Sequence, residues 1–553
     1  MPMADNFSSP PDFDLLIVGS GPSGSHAAME AVHSGRKVAL LEIGYSDSQP
    51  PPFDPSKTFS EIRRTDPNQH TYFLGENPVT VLRNQGRAGP HLTPGRQYMI
   101  RDMDQLFPLE SDSFLPLQSS GLGGLGVSWG ANCFALEDYE LERIGISAAA
   151  MPEYYANAAR EAGISGRIDD ALTPLIANLD HSVIQPPLPL DSNAETILRR
   201  YQAREERYQA SGIYLGQSLL AMLSRNLDPR QANPQTDMDF WADVGRSVYR
   251  PRYTIEKLQA CSNFTHLKGR LALRFRPAAE GVTLECRNLD TGAPEAVSAR
   301  KLLLAAGAIN SGRMALASFG DYRSRLPILC NPNHWVAAVN LSMLGKPARD
   351  RRHSLSQLTV LMRAECDGPD YVLAQIYSYR SLLLFRLLKD IPLPPRQGLL
   401  FLRLLATAFT CVNIHFPDRP SADRWIQLEA RESGDVLRAA TTYSAAEKAW
   451  IQRYEGRMLR FLASLRCIPM GVNRPLHGAS IHYAGTLPYA AQDRPYTTAP
   501  DGQLRQAPNV YVADAASWRF MPAKGLTLTL MANARRVTAQ ALRHLAAEDA
   551  SPS

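Results

Sequence analysis

The 553-residue sequence predicts an α/β protein in which a discontinuous domain with a parallel sheet encloses an inserted α+β domain built on an antiparallel sheet. The N-terminal residues combine an apolar strand, a glycine-rich turn and a helix, and similar signals return in the last part of the chain. Between them, residues 355–430 alternate between apolar and polar side chains, as antiparallel strands do. We therefore expect the discontinuous domain to comprise 12–150, 240–330 and 470–546, and the inserted domain 151–239 and 331–469.

The first elements form a βαβ unit. Phe13–Val18 has the length and apolarity of a buried strand, a small-residue helix follows over about 23–34, and a second buried strand ends at Glu42. The stretch 46–120 is rich in Pro, Asp, Ser and Gln and predicts long surface excursions. Further along, the pattern predicts helices near 148–163, 192–224 and 526–545 and strands over 264–305.

Composition narrows the function classes. The formal net charge is +5 and the arginines are spread along the chain, so nucleic-acid binding is not expected. The seven cysteines include no C-x-x-C pair, which favours reduced thiols and argues against a disulfide framework or a metal site. The first residues show no secretory signal, and no run of eighteen uncharged apolar residues occurs, so we expect a cytoplasmic protein without a spanning helix.

A dinucleotide site is predicted by the G-x-G-x-x-G spacing of Gly19, Gly21 and Gly24, directly after the first strand. The glycines permit a tight turn, close approach of a pyrophosphate, and packing of the helix on the strand. The phosphates then meet the N–H groups and the dipole at the helix N-terminus. Glu42 is placed to accept from both hydroxyls of an unphosphorylated ribose.

Three downstream segments favour FAD over NAD. The glycines of 121–132 allow the backbone to approach a flat ring system, and 301–313 is a buried strand that ends in a tight turn. In 508–536 a strand ends at Asp514, which could accept from the ribityl chain. A helix then begins near Gly525, and its N–H groups would stabilise negative charge at the pyrimidine edge of the flavin.

These blocks resemble the glucose–methanol–choline (GMC) oxidoreductase family, and H-Y-A-G-T-L-P and P-A-K-x-L-T resemble a bacterial branch of it. The resemblance covers roughly a third of the chain, in the family's order and spacing. It implies FAD, a substrate alcohol beside the flavin, and hydride transfer to flavin N5. It also implies that His482, in I-H-Y-A-G-T, is the catalytic base, with His477 a weaker candidate.

The chain departs from the family's pattern at a second position. Family members place a His or Asn just before the last helix, where it orients the substrate oxygen, and the alignment puts Gly525 there. Glycine offers no side chain, so Lys524 or a group from the inserted domain is expected to replace the partner, or the reaction differs.

Residues from each of the segments described above contribute to the predicted FAD site. Some family members attach FAD through a histidine before the tryptophan, where this chain has Ser128, so we expect non-covalent FAD. The residues expected to bind it are Gly19, Gly21, Ser23, Gly24, Glu42, Gly123, Gly124, Ser128, Trp129, Asn132, Ala306, Gly307, Asp514, Gly525, Leu526 and Thr527.

The segment 381–412 has two leucine-rich stretches, 381–389 and 397–412, separated by I-P-L-P-P-R and interrupted by Arg and Lys. One interpretation is an amphipathic hairpin at a membrane surface, with a lipophilic substrate; the other is a pair of core helices with snorkelling cations.

Three hypotheses follow. The first is a GMC-type enzyme that oxidises a CH–OH group of a small molecule, with an electron acceptor that the sequence does not identify. The second is a flavoenzyme with a non-standard redox step, such as desaturation, because of Gly525. The third is a flavin-binding protein without catalysis.

Overall fold

The structure, a computed structural model, describes residues 11–47, 53–74, 92–278, 280–347, 351–366, 368–378, 392–394, 396–398, 407–432 and 434–550. The helices are α1 (Pro22–His33), α2 (Phe59–Thr65), α3 (Gln69–Leu74), α4 (Met103–Leu106), α5 (Asp138–Ile144), α6 (Pro152–Ala162), α7 (Ser192–Gln202), α8 (Glu205–Ala210), α9 (Pro251–Leu258), α10 (Ala308–Ser318), α11 (Ala445–Ser464) and α12 (Thr527–Ala550).

The largest sheet is built from both ends and the middle of the chain. Its strands are β1 (Phe13–Val18), β2 (Val38–Glu42), β5 (Phe264–Lys268), β6 (Arg270–Ala278), β7 (Gly281–Asn288), β8 (Pro294–Leu304), β19 (Gln503–Leu504) and β20 (Ala507–Val512). The order β20-β8-β1-β2-β5 is parallel throughout, and β6, β7 and β8 form an antiparallel extension. β2 and the C-terminal halves of β1, β8 and β20 are buried, and helices α1 and α12 pack against each other and against these strands.

A second sheet is antiparallel and has six strands, in the order β17-β11-β14-β13-β12-β4. They are β4 (Ile213–Gln217), β11 (Asn333–Asn340), β12 (Leu358–Cys366), β13 (Gly368–Ser378), β14 (Phe409–His415) and β17 (Cys467–Asn473). Its strands come from the segments predicted for the inserted domain, except that β17 extends past residue 469.

Two smaller sheets complete the architecture. They contain β3 (Leu109–Glu110), β9 (Leu326–Pro327), β15 (Arg424–Glu429) and β16 (Val436–Thr441), and β10 (Leu329–Cys330) with β18 (Tyr483–Ala484). The second pair places the segment that carries His482 beside the end of β10.

Two sequence expectations were wrong in detail. The helix expected over 192–224 ends with α8, because Gly212 takes a positive φ of 72° and the next residues pair as β4 with β12. The stretch 46–120 is not only a surface excursion, since Phe59, Phe73 and Phe114 are buried. Residues 381–391, 395 and 399–406, which make up most of the proposed hairpin, lie outside the described residues.

Candidate active site

One long cavity joins the two main sheets. At one end it is lined by the residues that follow β1 and β2, and at the other by side chains of β11, β13 and β14. The middle is lined by the 121–132 segment and by the start of α12. Ligand sites in open α/β sheets lie beyond the carboxyl ends of the parallel strands, as this cavity does.

Most of the predicted site residues line this cavity. They are Gly19, Gly21, Ser23, Glu42, Gly124, Ser128, Trp129, Asn132, Ala306, Gly307, His482, Asp514, Gly525, Leu526 and Thr527. Gly24, Gly123 and Lys524 lie behind this lining.

The turn after β1 is a tight glycine-rich turn that opens toward the cavity. Gly19 has a φ of +98°, and a Cβ at Gly24 would lie 1.8 Å from the Gly19 carbonyl oxygen, so both positions require glycine. A Cβ at Gly21 would meet no protein atom within 4 Å, because this residue faces the cavity. No side chain caps the N-terminus of α1, which leaves its first N–H groups for an anion.

Glu42 is buried at the end of β2 and is held by two side chains that the sequence did not point to. His266 Nε2 lies 2.6 Å from one carboxylate oxygen, and the Ser20 hydroxyl donates to the other. The Ser20 oxygen in turn accepts from the Gly123 amide at 2.8 Å. These contacts fix the position of the Glu42 carboxylate and connect the turn at 19–24 to the glycine-rich segment 121–132.

Asp514 connects two further segments of the predicted cofactor site, 301–313 and 508–536. Its carboxylate accepts from the Gly307 amide at 2.8 Å, from the Ser311 hydroxyl at 2.6 Å and from the Ala516 amide at 2.9 Å. Burial raises the pKa of Asp514 to about 6, against the opposing effect of these hydrogen bonds. The carboxylate therefore holds the turn before α10 and the loop before α12 at one place on the cavity wall.

His482 lines the cavity beside His415 of β14, and its orientation is fixed by Asn331. The Asn331 amide nitrogen donates to the carbonyls of Phe416 at 2.7 Å and Pro522 at 3.2 Å, so its Oδ1 is the atom that faces His482 Nδ1 at 3.2 Å. The histidine proton is therefore on Nδ1, and Nε2 keeps a lone pair.

Two further features describe the surroundings of His482. Its ring keeps some exposure to the cavity, but protein atoms surround it deeply, and this burial lowers its pKa to about 4. The preceding residue, Ile481, has a φ of +63°, which is strained for a β-branched side chain.

His477, the weaker candidate for the base, lies outside the cavity lining, and its Nδ1 is 2.9 Å from the Thr441 carbonyl oxygen.

The position aligned with the family's second catalytic residue is closed to side chains. A Cβ at Gly525 would lie 2.6 Å from the Asn132 carbonyl oxygen. Lys524 is fully buried, and its ammonium contacts Glu137 at 2.9 Å and Glu140 at 2.7 Å. Burial alone lowers the pKa of Lys524, but these two carboxylates outweigh it and raise the pKa.

The antiparallel sheet presents a polar face to the cavity. Because alternate residues of a strand share a face, cross-strand pairing brings Asn333 opposite His415, and Trp335 and Gln375 opposite Asn413. All five line the cavity. The rings of His415 and His482 are tilted by 30° with centroids 5.4 Å apart. Sequence reasoning missed this histidine, because no motif marks it.

Comparisons with known proteins agree with the architecture. The chain matches no family model. It is 42% identical over 60 residues to an opine oxidase polypeptide of Agrobacterium tumefaciens (strain Ach5), a match that spans 11% of this chain and 10% of that protein. It superimposes on pyridoxine 4-oxidase from Mesorbium loti with a TM-score of 0.55 and 14% identity, over 96% of this chain and all of that one.

The chain has the fold of pyridoxine 4-oxidase. The predicted fold class, a parallel-sheet domain with an inserted α+β domain on an antiparallel sheet, is therefore confirmed. Within the described ranges, no helix has both the length and the apolarity to cross a membrane.

Proposed function

We propose that the protein is an FAD-dependent oxidoreductase of the GMC type that oxidises a CH–OH group. The observation that carries this proposal is the position of His482, whose Nδ1 is held by Asn331, in the same cavity as the glycine-rich turn after β1. The shared fold with pyridoxine 4-oxidase and the I-H-Y-A-G-T motif support it.

The residues along the cavity fit FAD. The uncapped start of α1 and the open face of Gly21 suit a pyrophosphate, and the fixed carboxylate of Glu42 suits a ribose. The backbone of 525–527 lines the cavity where α12 begins and suits the electron-rich edge of a flavin. FAD bound there would supply the two-electron acceptor for hydride from the carbinol carbon. Ser128 supports non-covalent attachment.

His482 would act as the general base. A base must accept the hydroxyl proton while the C–H bond breaks, and His482 lines the cavity with Nε2 as the nitrogen that keeps its lone pair. Burial keeps the ring neutral down to about pH 4, and the Asn331 oxygen would stabilise the imidazolium formed when the proton arrives.

The antiparallel sheet offers hydrogen-bonding groups to a substrate beside His482, and we call this part of the cavity the substrate end. The described cavity-lining residues of β11, β13 and β14 include no Asp, Glu, Lys or Arg; they are Asn333, Trp335, Gln375, Tyr377, Asn413 and His415. A neutral, hydrogen-bonding molecule would fit against these strands, because a charged group would find no carboxylate, ammonium or guanidinium on them. The Asn413 Oδ1 is buried without a hydrogen-bond partner among the described residues, so a donor such as a hydroxyl would satisfy it.

The proposal is tested by anaerobic reduction of the bound flavin. Purified protein should be yellow and release FAD on acid treatment, and one or more members of a panel of neutral primary and secondary alcohols should bleach it. His482→Ala should bleach about 10²–10⁴-fold more slowly, whereas His477→Gln, a histidine outside the cavity lining, should match the parent. A colourless protein that FAD does not reconstitute, or a flavin that no alcohol bleaches, would refute the proposal.

A further inference from the structure

Alcohol oxidation with His482 as the base also requires a hydrogen-bond donor to the substrate oxygen. A substrate hydroxyl has one proton and two lone pairs, and His482 Nε2 accounts for the proton only. A second group must donate to the oxygen, to hold it in place and to stabilise it as the proton leaves. Neither sequence candidate serves: Gly525 has no side chain and no room for one, and Lys524 is held by two carboxylates behind the lining.

His415 is the side chain that lies across from His482. It ends strand β14, at the centre of the antiparallel sheet, between β11 and β13. Its ring lines the cavity, is 5% exposed, and lies 5.4 Å from the ring of His482 between centroids. Rings at this separation can both reach one oxygen atom placed between them, because each hydrogen bond spans about 2.9 Å.

Asn413 sets the protonation of His415. These residues are two apart on β14 and therefore share a face of the sheet. The Asn413 amide nitrogen lies 2.8 Å from His415 Nε2, and as a donor it makes that nitrogen an acceptor. The proton of neutral His415 is then on Nδ1, as a hydrogen-bond donor.

We propose that His415 is the second catalytic residue and that it donates a hydrogen bond to the substrate oxygen, replacing from the inserted domain what Gly525 lacks. This rests on the function proposed above. The O–H proton would pass to His482 Nε2 as the carbinol carbon gives up its hydride, for which bound FAD would supply the two-electron acceptor, and the carbon–oxygen bond would become a carbonyl. His415 keeps its proton and donates to the oxygen throughout. The catalytic pair is thus assembled across two domains.

The test separates binding from the chemical step. The parent, His415→Ala and His415→Asn are loaded with FAD, and flavin bleaching by the most effective panel alcohol is followed in anaerobic stopped flow. His415→Ala should lower the limiting rate about 10²–10³-fold, while FAD content and the Kd for FAD match the parent. His415→Asn, which keeps a donor, should recover part of the rate, and His477→Gln is the matched histidine control.

A second readout does not depend on turnover. The tertiary-alcohol analogue of the same substrate has no carbinol hydrogen, so its Kd is measured from the change that it causes in the flavin spectrum. His415→Ala should weaken this binding about 2- to 13-fold, as expected for one hydrogen bond. Parental rate and Kd in His415→Ala would overturn the role of His415 alone. A parent flavin that no alcohol bleaches would overturn the proposed function and this role together.

Discussion

Replacement of Asn331 by Ala should disturb His482, the proposed base, without removing a contact to the substrate. Asn331 is 1% exposed, and its Oδ1 is the contact that keeps the His482 proton on Nδ1. Without that acceptor, the ring can take the other tautomer or rotate, and Nε2 then carries a proton and cannot serve as the base.

The size of the effect follows from one hydrogen bond. A hydrogen bond contributes about 0.5–1.5 kcal/mol, which at about 1.4 kcal/mol per tenfold change corresponds to a limiting bleaching rate about 2- to 13-fold lower. The substitution should also destabilise the protein, because the Phe416 and Pro522 carbonyls lose their donor, at about 1–3 kcal/mol for each buried group left unpaired.

Asn340→Ala is the matched control for this loss of stability. Asn340 is also fully buried, and its amide donates to Asn193 and Thr196, each at 2.7 Å, away from the cavity lining. The assay is anaerobic flavin bleaching at saturating alcohol, with denaturant unfolding in parallel. Asn340→Ala should lose stability but keep the parental rate. If Asn331→Ala also keeps the parental rate, the assignment of the His482 tautomer is wrong.

Four further outcomes are expected. Burial lowers the pKa of His482 from 6.5 to about 4, and the proposed base works in its neutral form. The bleaching rate should therefore stay level as the pH falls to about 5, and it should decline through about pH 4. A decline centred near pH 6.5 would contradict this expectation. Gly525→Ala forces a Cβ to 2.6 Å from the Asn132 carbonyl oxygen, so the free energy of unfolding should fall by about 1–3 kcal/mol and the FAD content should decrease. Parental values of both would show that the backbone shifts to accommodate the methyl group. Lys524→Met removes the ammonium that contacts Glu137 and Glu140, and it should lower the free energy of unfolding by about 3–5 kcal/mol. The fraction of the protein that stays folded should still bleach at the parental rate. A large loss of rate would restore Lys524 as a catalytic candidate. Glu42→Gln should weaken FAD binding measured by fluorescence without changing the limiting bleaching rate, and an unchanged Kd would remove Glu42 from the cofactor site.

Much of the fold was predictable, because it is encoded in contiguous segments. The strand, turn and helix of residues 13–33 occupy the expected positions, and so do the strands of 264–304 and the last helix. The error at 213–217 has a physical cause. That segment becomes a strand because β12 lies beside it, more than 140 residues further along the chain, and local propensity does not report such a partner.

The sequence by itself determined the glycine-rich turn after β1, Glu42 at the end of β2, the segment with His482, and the absence of a side chain at Gly525, because each depends on residue types at short, fixed spacings. Only the tertiary structure decided what surrounds His482. Asn331 is 151 positions away from it in the chain, and His415 lies on a central strand of the antiparallel sheet. Such contacts depend on how two sheets meet across a cavity, and the spacing of residues along the chain does not specify that distance or orientation.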